Sequence, residues 1–161
     1  MDQIDGDSDL AMRLLYREVP ADERVAESNR QAVMNALDAV AAGDFEPFWA
    51  MFDKDVVFHE AGCLPYGGAH QGLEATKQAY AHLSSLYSNM RAVMEAVLAA
   101  RDIVIIYQTI TFRVKANGNT GTLPVSEMLR FRNGKVVEWR ALYFDSNMVA
   151  RALGANSAVE R

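Results

Sequence analysis

The chain has 161 residues, of which half are hydrophobic and 23% are charged, and its formal net charge is −5. This size and composition indicate one globular domain with a substantial hydrophobic core, and the acidic balance argues against a nucleic-acid surface, which needs clustered Lys and Arg. No apolar run approaches the roughly 18 residues of a membrane span, and the single cysteine, Cys63, leaves no intrachain disulfide.

Residues 1–28 are predicted to form an extension that is partly helical. Ser8 is placed to cap a short helix over residues 9–18. The start of the chain is polar and acidic, unlike a secretory signal, so we expect a cytoplasmic protein. The main domain is expected over residues 29–154, followed by a tail over residues 155–161.

Three helices are predicted next, with a strand between the second and the third. Residues 28–31 have the spacing of a capping box for the first helix, which ends at Gly43 and has an alternative start near Asp22. The second helix follows over residues 45–52. The strand is expected over residues 55–61, a loop rich in Gly and Pro over 62–68, and the third helix from Gly72 to about Tyr87.

From Met90 onward the pattern changes to strands. A short helix capped by Asp145 or Ser146 closes the domain near Gly154. This order of elements predicts an α+β fold, in which a cone-shaped, strongly curved antiparallel sheet wraps around the three N-terminal helices and leaves an apolar pocket. The four predicted strands, which form an antiparallel meander, cover residues 90–100, 103–115, 123–132 and 135–144.

The last two strands form a hairpin around Asn133-Gly134, which is a strong turn signal. A two-residue turn would mix charged and apolar side chains on both faces, whereas a three-residue loop with a bulge at Gly134 sorts them. We predict the second register, which puts Glu127 opposite Trp139 and Leu129 opposite Val137, and which leaves Glu127 as the single carboxylate on an apolar face.

The predicted apolar environment of Glu127 allows two interpretations. An apolar environment raises the pKa of a carboxyl, so Glu127 is expected to be neutral at pH 7 and to donate a proton or a hydrogen bond in a pocket. The alternative is a structural glutamate that pairs with a neighbouring strand or loop.

Glu60 is the second candidate, on the same face of the first predicted strand as Val56 and Phe58. It is interpreted either as a general base, which removes a proton next to a carbonyl, or as an exposed carboxylate at a strand end. His59 points to the opposite face, where packing or an interface is favoured over a pocket role. Gln108 interrupts an apolar strand face and either orients a polar ligand group or bonds within the sheet.

Several local strings resemble the nuclear transport factor 2-like superfamily, in particular its SnoaL-like and ketosteroid isomerase-like domains. The strings are AAGDF at 41–45, MFDKDVVF at 51–58, HQGLEA at 70–75 and the closing hairpin at 131–145. The resemblance covers about residues 29–154. It implies the curved-sheet fold, also called a cystatin-like α+β barrel, together with a pocket for a small hydrophobic ligand and a homodimer.

The resemblance also implies roles for the two glutamates. Glu60 stands where ketosteroid isomerases carry an aspartate base, and Glu127 where they carry a protonated aspartic acid in the oxyanion hole. Both side chains are one methylene longer here, and Ala36 stands where the isomerases have the tyrosine that is their main oxyanion donor. The aspartate pair of limonene-epoxide hydrolases has no match, because Leu142 falls near one of its positions.

Two functions remain open at this point. The first is an isomerase, cyclase or dehydratase that acts on a hydrophobic carbonyl compound such as a steroid or polyketide, with Glu60 as base and Glu127 stabilising the oxyanion. It needs no cofactor, because enolisation requires only a base and hydrogen-bond donors. The second is a non-catalytic ligand-binding or dimerisation domain of the same fold.

We expect no metal site, since the histidines lack carboxylates at a suitable spacing. Apolar residues on the sheet face away from the pocket, such as Ile105 and Tyr107, favour a homodimer. The side chains expected to contact the ligand are Phe58, His59, Gln108, Trp139, Tyr143 and Asp145.

Overall fold

The computed structural model describes residues 22–154. The helix predicted over residues 9–18 and the tail predicted over 155–161 lie outside the described residues. None of the described helices is long and apolar enough to cross a membrane. In chain order, the elements are α1 (Glu23–Ala41), α2 (Glu46–Ala50), β1 (Phe52–Glu60), β2 (Gly68–Gln71), α3 (Leu73–Ser85), β3 (Tyr87–Ala100), β4 (Ile103–Val114), β5 (Thr120–Arg132), β6 (Lys135–Tyr143) and α4 (Ser146–Ala152).

The six strands form one sheet in the order β2-β1-β6-β5-β4-β3. Strands β3 to β6 are an antiparallel meander, as predicted, whereas β1 runs parallel to β6 and antiparallel to β2. The sheet is curved but not closed, because β2 and β3 remain as edges, and the predicted α+β class is confirmed. The prediction missed β2, since four residues without alternating apolar positions give no strand signal.

Two aspartates determine where the first and last described helices begin. Asp22 accepts a hydrogen bond from the Arg24 N–H at 3.0 Å, so α1 starts at the earlier of its two predicted positions. Asp145 accepts from the Met148 N–H at 2.8 Å and caps α4. The Asp145 carboxylate is therefore occupied by a backbone donor.

The turn of the β5–β6 hairpin is shorter than predicted. It contains only Asn133 and Gly134, whose φ angles of 51° and 74° are both positive, as a type I′ turn requires. The predicted three-residue loop with a bulge at Gly134 is wrong. The bulge lies within β6 instead, where Val137 is the extra residue and Val136 becomes fully buried.

The bulge still gathers the apolar side chains of the hairpin on one face. Glu127 pairs with Ala141, and not with Trp139 as predicted, while Leu129 pairs with Trp139. These residues lie on the inner face of the sheet, the face that packs against α1, α2 and α3. The sorting of side chains between the two faces was predicted correctly for all but Val137, which was expected on the inner face and instead lies outside with Arg130 and Glu138, while Val136 enters the core.

The core between the inner face and the helices consists of two apolar clusters. The first contains Phe58, whose ring stacks on Trp139 with centroids 4.1 Å apart, and Phe48, which meets the same indole edge-on. The second contains Tyr66 and Leu123 and lies further along the sheet. Residues of both clusters line one cavity.

Candidate functional site

The cavity offers about 200 Å³ of room to the centre of a water-sized sphere. A single water needs roughly 10–15 Å³ on this measure, so the cavity is large enough for an organic ligand. Most of its wall is hydrocarbon, and none of the described residues that line it is a Lys, Arg or His. Its polar side chains are Glu60, Gln108, Glu127 and Trp139, with the hydroxyls of Tyr66, Tyr80, Tyr87 and Tyr143.

Glu60 and Glu127 lie on either side of Ala141 on the inner face. The pairing of β1 with β6 ends at His59 and Arg140, which leaves Glu60 level with Ala141, and Ala141 pairs with Glu127 on its other side. Alanine carries only a methyl group, so the two carboxyls interact across it. The sheet therefore brings together two carboxyls that are 67 positions apart in the chain.

Glu60 is buried, with 8% of its surface exposed, which contradicts the alternative interpretation of an exposed carboxylate at a strand end. Loss of water around the carboxyl raises its pKa to about 8, and the nearby charge of Glu127 contributes to the rise. The nearby Tyr143 hydroxyl and Ala61 N–H act in the opposite direction and lower the pKa, but only in part. The Oε2 atom is buried and has no hydrogen-bond partner among residues 22–154.

Glu127 faces the cavity and accepts a hydrogen bond of 2.6 Å from Nε1 of Trp139 on its Oε2 atom. Burial raises the pKa of Glu127 to about 7, and the Trp139 hydrogen bond opposes the rise. Tyr80 from α3 lies near enough for the Glu127 charge to raise its pKa, a smaller effect there than burial. Between pH 7 and pH 8, Glu60 and Glu127 together hold about one proton.

Four of the side chains predicted to contact a ligand line this cavity together with the two glutamates. Phe58 and Trp139 form one part of the wall, and Gln108 and Tyr143 lie one step further along the sheet. The Gln108 amide has no side-chain hydrogen bond within the described part of the chain. The amide is thus available to a polar group of a ligand.

The structure places the other two predicted contact residues away from the cavity. His59 lies on the outer face of the sheet, because side chains alternate along β1, and its Nε2 is 3.5 Å from Oε1 of Glu138. Asp145 is engaged as the cap of α4. In the described range, no three His, Cys, Asp or Glu side chains lie close enough to hold a metal ion.

Three tyrosines in the cavity wall were not singled out as site residues. Tyr80 lies within the predicted third helix, and Tyr87 begins β3 instead of ending that helix. Tyr66 comes from the loop after β1, yet only 4% of its surface is exposed. The sequence signal for the burial of Tyr66 was the apolar run Leu64-Pro65-Tyr66 inside a loop otherwise rich in Gly.

The sequence profile of the SnoaL-like domain family matches residues 33–139. The chain belongs to this family. No protein with a curated function matches this SnoaL-like chain.

Solved structures of the same fold are numerous. An NTF2-like protein of unknown function from Burkholderia pseudomallei is 23% identical, with a TM-score of 0.69 over 78% of this chain and 96% of that one. A protein from Jannaschia sp. CCS1 described as a SnoaL-like polyketide cyclase is 18% identical, with a TM-score of 0.67 over 88% and 99%. TerC, co-crystallised with polyporic acid, is 21% identical, with a TM-score of 0.67 over 78% and 98%. At these identities the likeness shows the fold alone.

Proposed function

We propose that this SnoaL-like domain is a cofactor-independent enzyme that removes a proton next to the carbonyl of a hydrophobic compound, as an isomerase, cyclase or dehydratase does. The observation that carries the proposal is the pair of carboxyls, Glu60 and Glu127, in one apolar cavity without a described basic side chain. Such a pair offers both a base and an acid near neutral pH.

In this proposal Glu60 is the base and neutral Glu127 donates a hydrogen bond to the carbonyl oxygen. The two carboxyls share about one proton near neutral pH. A carbonyl oxygen beside Glu127 favours the neutral form of Glu127, because it accepts a hydrogen bond from the neutral acid and is repelled by the carboxylate. Glu60 is then the ionised partner, as a base requires.

A second candidate function is ligand binding without turnover. It is favoured by Ala36, which is 2% exposed in the core at the position where the similar isomerases have their oxyanion tyrosine. The co-crystal of TerC with polyporic acid supports small-molecule binding in this fold. The two functions share the cavity and differ in whether a bound ketone exchanges its protons.

That difference gives the experiment. Tetralones and steroid enones are first tested for binding by tryptophan fluorescence, since Trp139 forms part of the cavity wall. The compounds that bind are then incubated with the protein in D₂O, and NMR follows the loss of the protons next to the carbonyl. We expect the wild-type protein to accelerate this exchange, Glu60→Gln to abolish the acceleration, and Glu138→Gln on the outer face to retain it.

The outcomes separate the candidates. Equal exchange rates for Glu60→Gln and the wild-type protein would exclude Glu60 as the base. Ketones that bind to the wild-type protein without faster exchange would support the non-catalytic function.

We also propose that the chain forms a homodimer through the outer face of the sheet. Val93, Leu98, Tyr107 and Leu142 are 48%, 61%, 38% and 51% exposed, and their strand positions face away from the cavity. A group of exposed apolar side chains on one face is typical of an interface. We name this group the outer apolar patch.

A further inference from the structure

Three tyrosine hydroxyls from three separate elements meet at the Glu60 end of the cavity. Tyr143 comes from β6, Tyr66 from the loop after β1, and Tyr87 from the start of β3. The hydroxyl oxygens of Tyr66 and Tyr87 are 3.1 Å apart, and the Tyr143 hydroxyl lies near enough to Glu60 and to Tyr66 to affect the pKa of each. The three hydroxyls therefore lie together beside the Glu60 carboxyl, and the proposed proton transfer uses none of them.

The loop that carries Tyr66 is tightly constrained. The Leu64 N–H donates to the Ala61 carbonyl oxygen at 3.0 Å, and the Gly67 N–H donates to that of Leu64 at 2.8 Å. A Cβ on Gly67 would lie 2.2 Å from the Ala61 oxygen, so only glycine fits there. A ring nitrogen of His70 on β2 is 2.9 Å from the Tyr66 carbonyl oxygen. The backbone of Tyr66 is thus held from both sides.

The titratable groups that face Glu60 come from few elements. β5 contributes Glu127, β6 contributes Tyr143, and α1 contributes only apolar side chains to the cavity wall. On the opposite side of the sheet, His59 and Arg140 lie in an open cleft that reaches the end of β1. Tyr143 is therefore the one described side chain on the cavity side whose hydroxyl lies near enough to Glu60 to lower its pKa.

We propose that Tyr143, held in place by Tyr66, whose own hydroxyl is held by Tyr87, is a positioning residue that orients the Glu60 carboxyl and stabilises its ionised form. A buried carboxylate oxygen without a hydrogen-bond partner is destabilised, so a donor near the Glu60 carboxyl has a large effect on its ionised form. The linked hydroxyls of Tyr66 and Tyr87 restrict where the neighbouring Tyr143 hydroxyl can lie, so the donor is already oriented toward Glu60. This inference rests on the proposed role of Glu60 as base.

The test is a titration of the full-length protein, in which ¹³C NMR follows the side-chain carboxyls of labelled glutamates and Glu60→Gln assigns the Glu60 signal. Loss of a donor to the ionised form raises the pKa, so Tyr143→Phe is expected to raise that of Glu60 by roughly one to two units. Tyr66→Phe is expected to raise it by a smaller amount, because Tyr143 then loses its anchor. Tyr80→Phe removes a hydroxyl at the Glu127 end of the same cavity and is the matched control, with no rise expected for Glu60.

A Glu60 pKa that stays the same or falls in Tyr143→Phe overturns the proposal, even if the variant is less stable. A rise in Tyr143→Phe with none in Tyr66→Phe overturns the anchoring role of Tyr66, and Tyr66→Phe tests the proposal if Tyr143→Phe does not fold. The titration requires no substrate, so its result is independent of the proposed function. If the graded rise is found but Glu60→Gln keeps full exchange activity, the base role of Glu60 fails and the positioning role of Tyr143 stands.

Discussion

The burial of Glu60 predicts that Glu60→Gln stabilises the protein at alkaline pH. The pKa of Glu60 in the folded wild-type protein is about 8, above the ordinary value of 4.5. Between these two pH values the folded state keeps a proton that the unfolded state has lost. The free energy of unfolding therefore falls as the pH rises from about 4.5 to about 8. Glutamine does not titrate, so the Glu60→Gln variant does not lose this part of the free energy of unfolding.

The size of the effect follows from the two pKa values. The gap between 4.5 and about 8 corresponds to roughly 4–5 kcal/mol of unfolding free energy once the pH exceeds 8. Near pH 5 the wild-type carboxyl is still largely protonated when folded, and the two proteins are expected to differ little. A change of several kcal/mol is large against the roughly 5–15 kcal/mol by which domains of this kind are stable.

The assay is urea unfolding of the wild-type protein and the variant at pH 5, 7 and 9. Glu138→Gln is the matched control, because its carboxyl lies on the outer face and has the opposite shift. Burial alone would raise the pKa of Glu138, but hydrogen bonds and charges from Arg130 and Arg140 outweigh burial and lower it. Glu138→Gln is thus expected to lose stability above pH 5. If Glu60→Gln and the wild-type protein lose stability in parallel from pH 5 to pH 9, the raised pKa is refuted.

Three further changes test other parts of the structure. Glu127→Gln removes a like charge, so the pKa of Glu60 is expected to fall in the NMR titration; an unchanged value contradicts the interaction across Ala141. Gly67→Ala displaces the Tyr66 loop and is expected to lower the thermal midpoint and raise the pKa of Glu60, whereas unchanged values show that the loop tolerates the methyl group. Leu98→Asp in the outer apolar patch is expected to give monomers in sedimentation velocity at concentrations where the wild-type protein is a dimer; a dimer of unchanged affinity excludes this patch as the interface.

The sequence determined the elements and their faces, apart from the short strand β2, because local periodicity carries that information. The alternation along β1 placed Phe58 and Glu60 on one face, and the pattern around the hairpin placed Glu127 among apolar side chains. A one-residue change of register reverses every side chain, so a sequence that must bury one face specifies that face strongly. The sequence specifies the register less strongly. The bulge turned Val137 outward, against the prediction, and returned Trp139 and Ala141 to the predicted inner face although the turn is shorter than predicted.

The tertiary structure alone decided which candidates meet and what surrounds them. Pairing of β1 with β6 and of β6 with β5 put Glu60 and Glu127 on either side of Ala141, while alternation turned His59 outward. The burial of Glu60 and its contact with Tyr143 depend on elements distant in the chain, whose positions no local pattern encodes. A side chain's identity and face are local properties, whereas its pKa is a property of everything that packs around it.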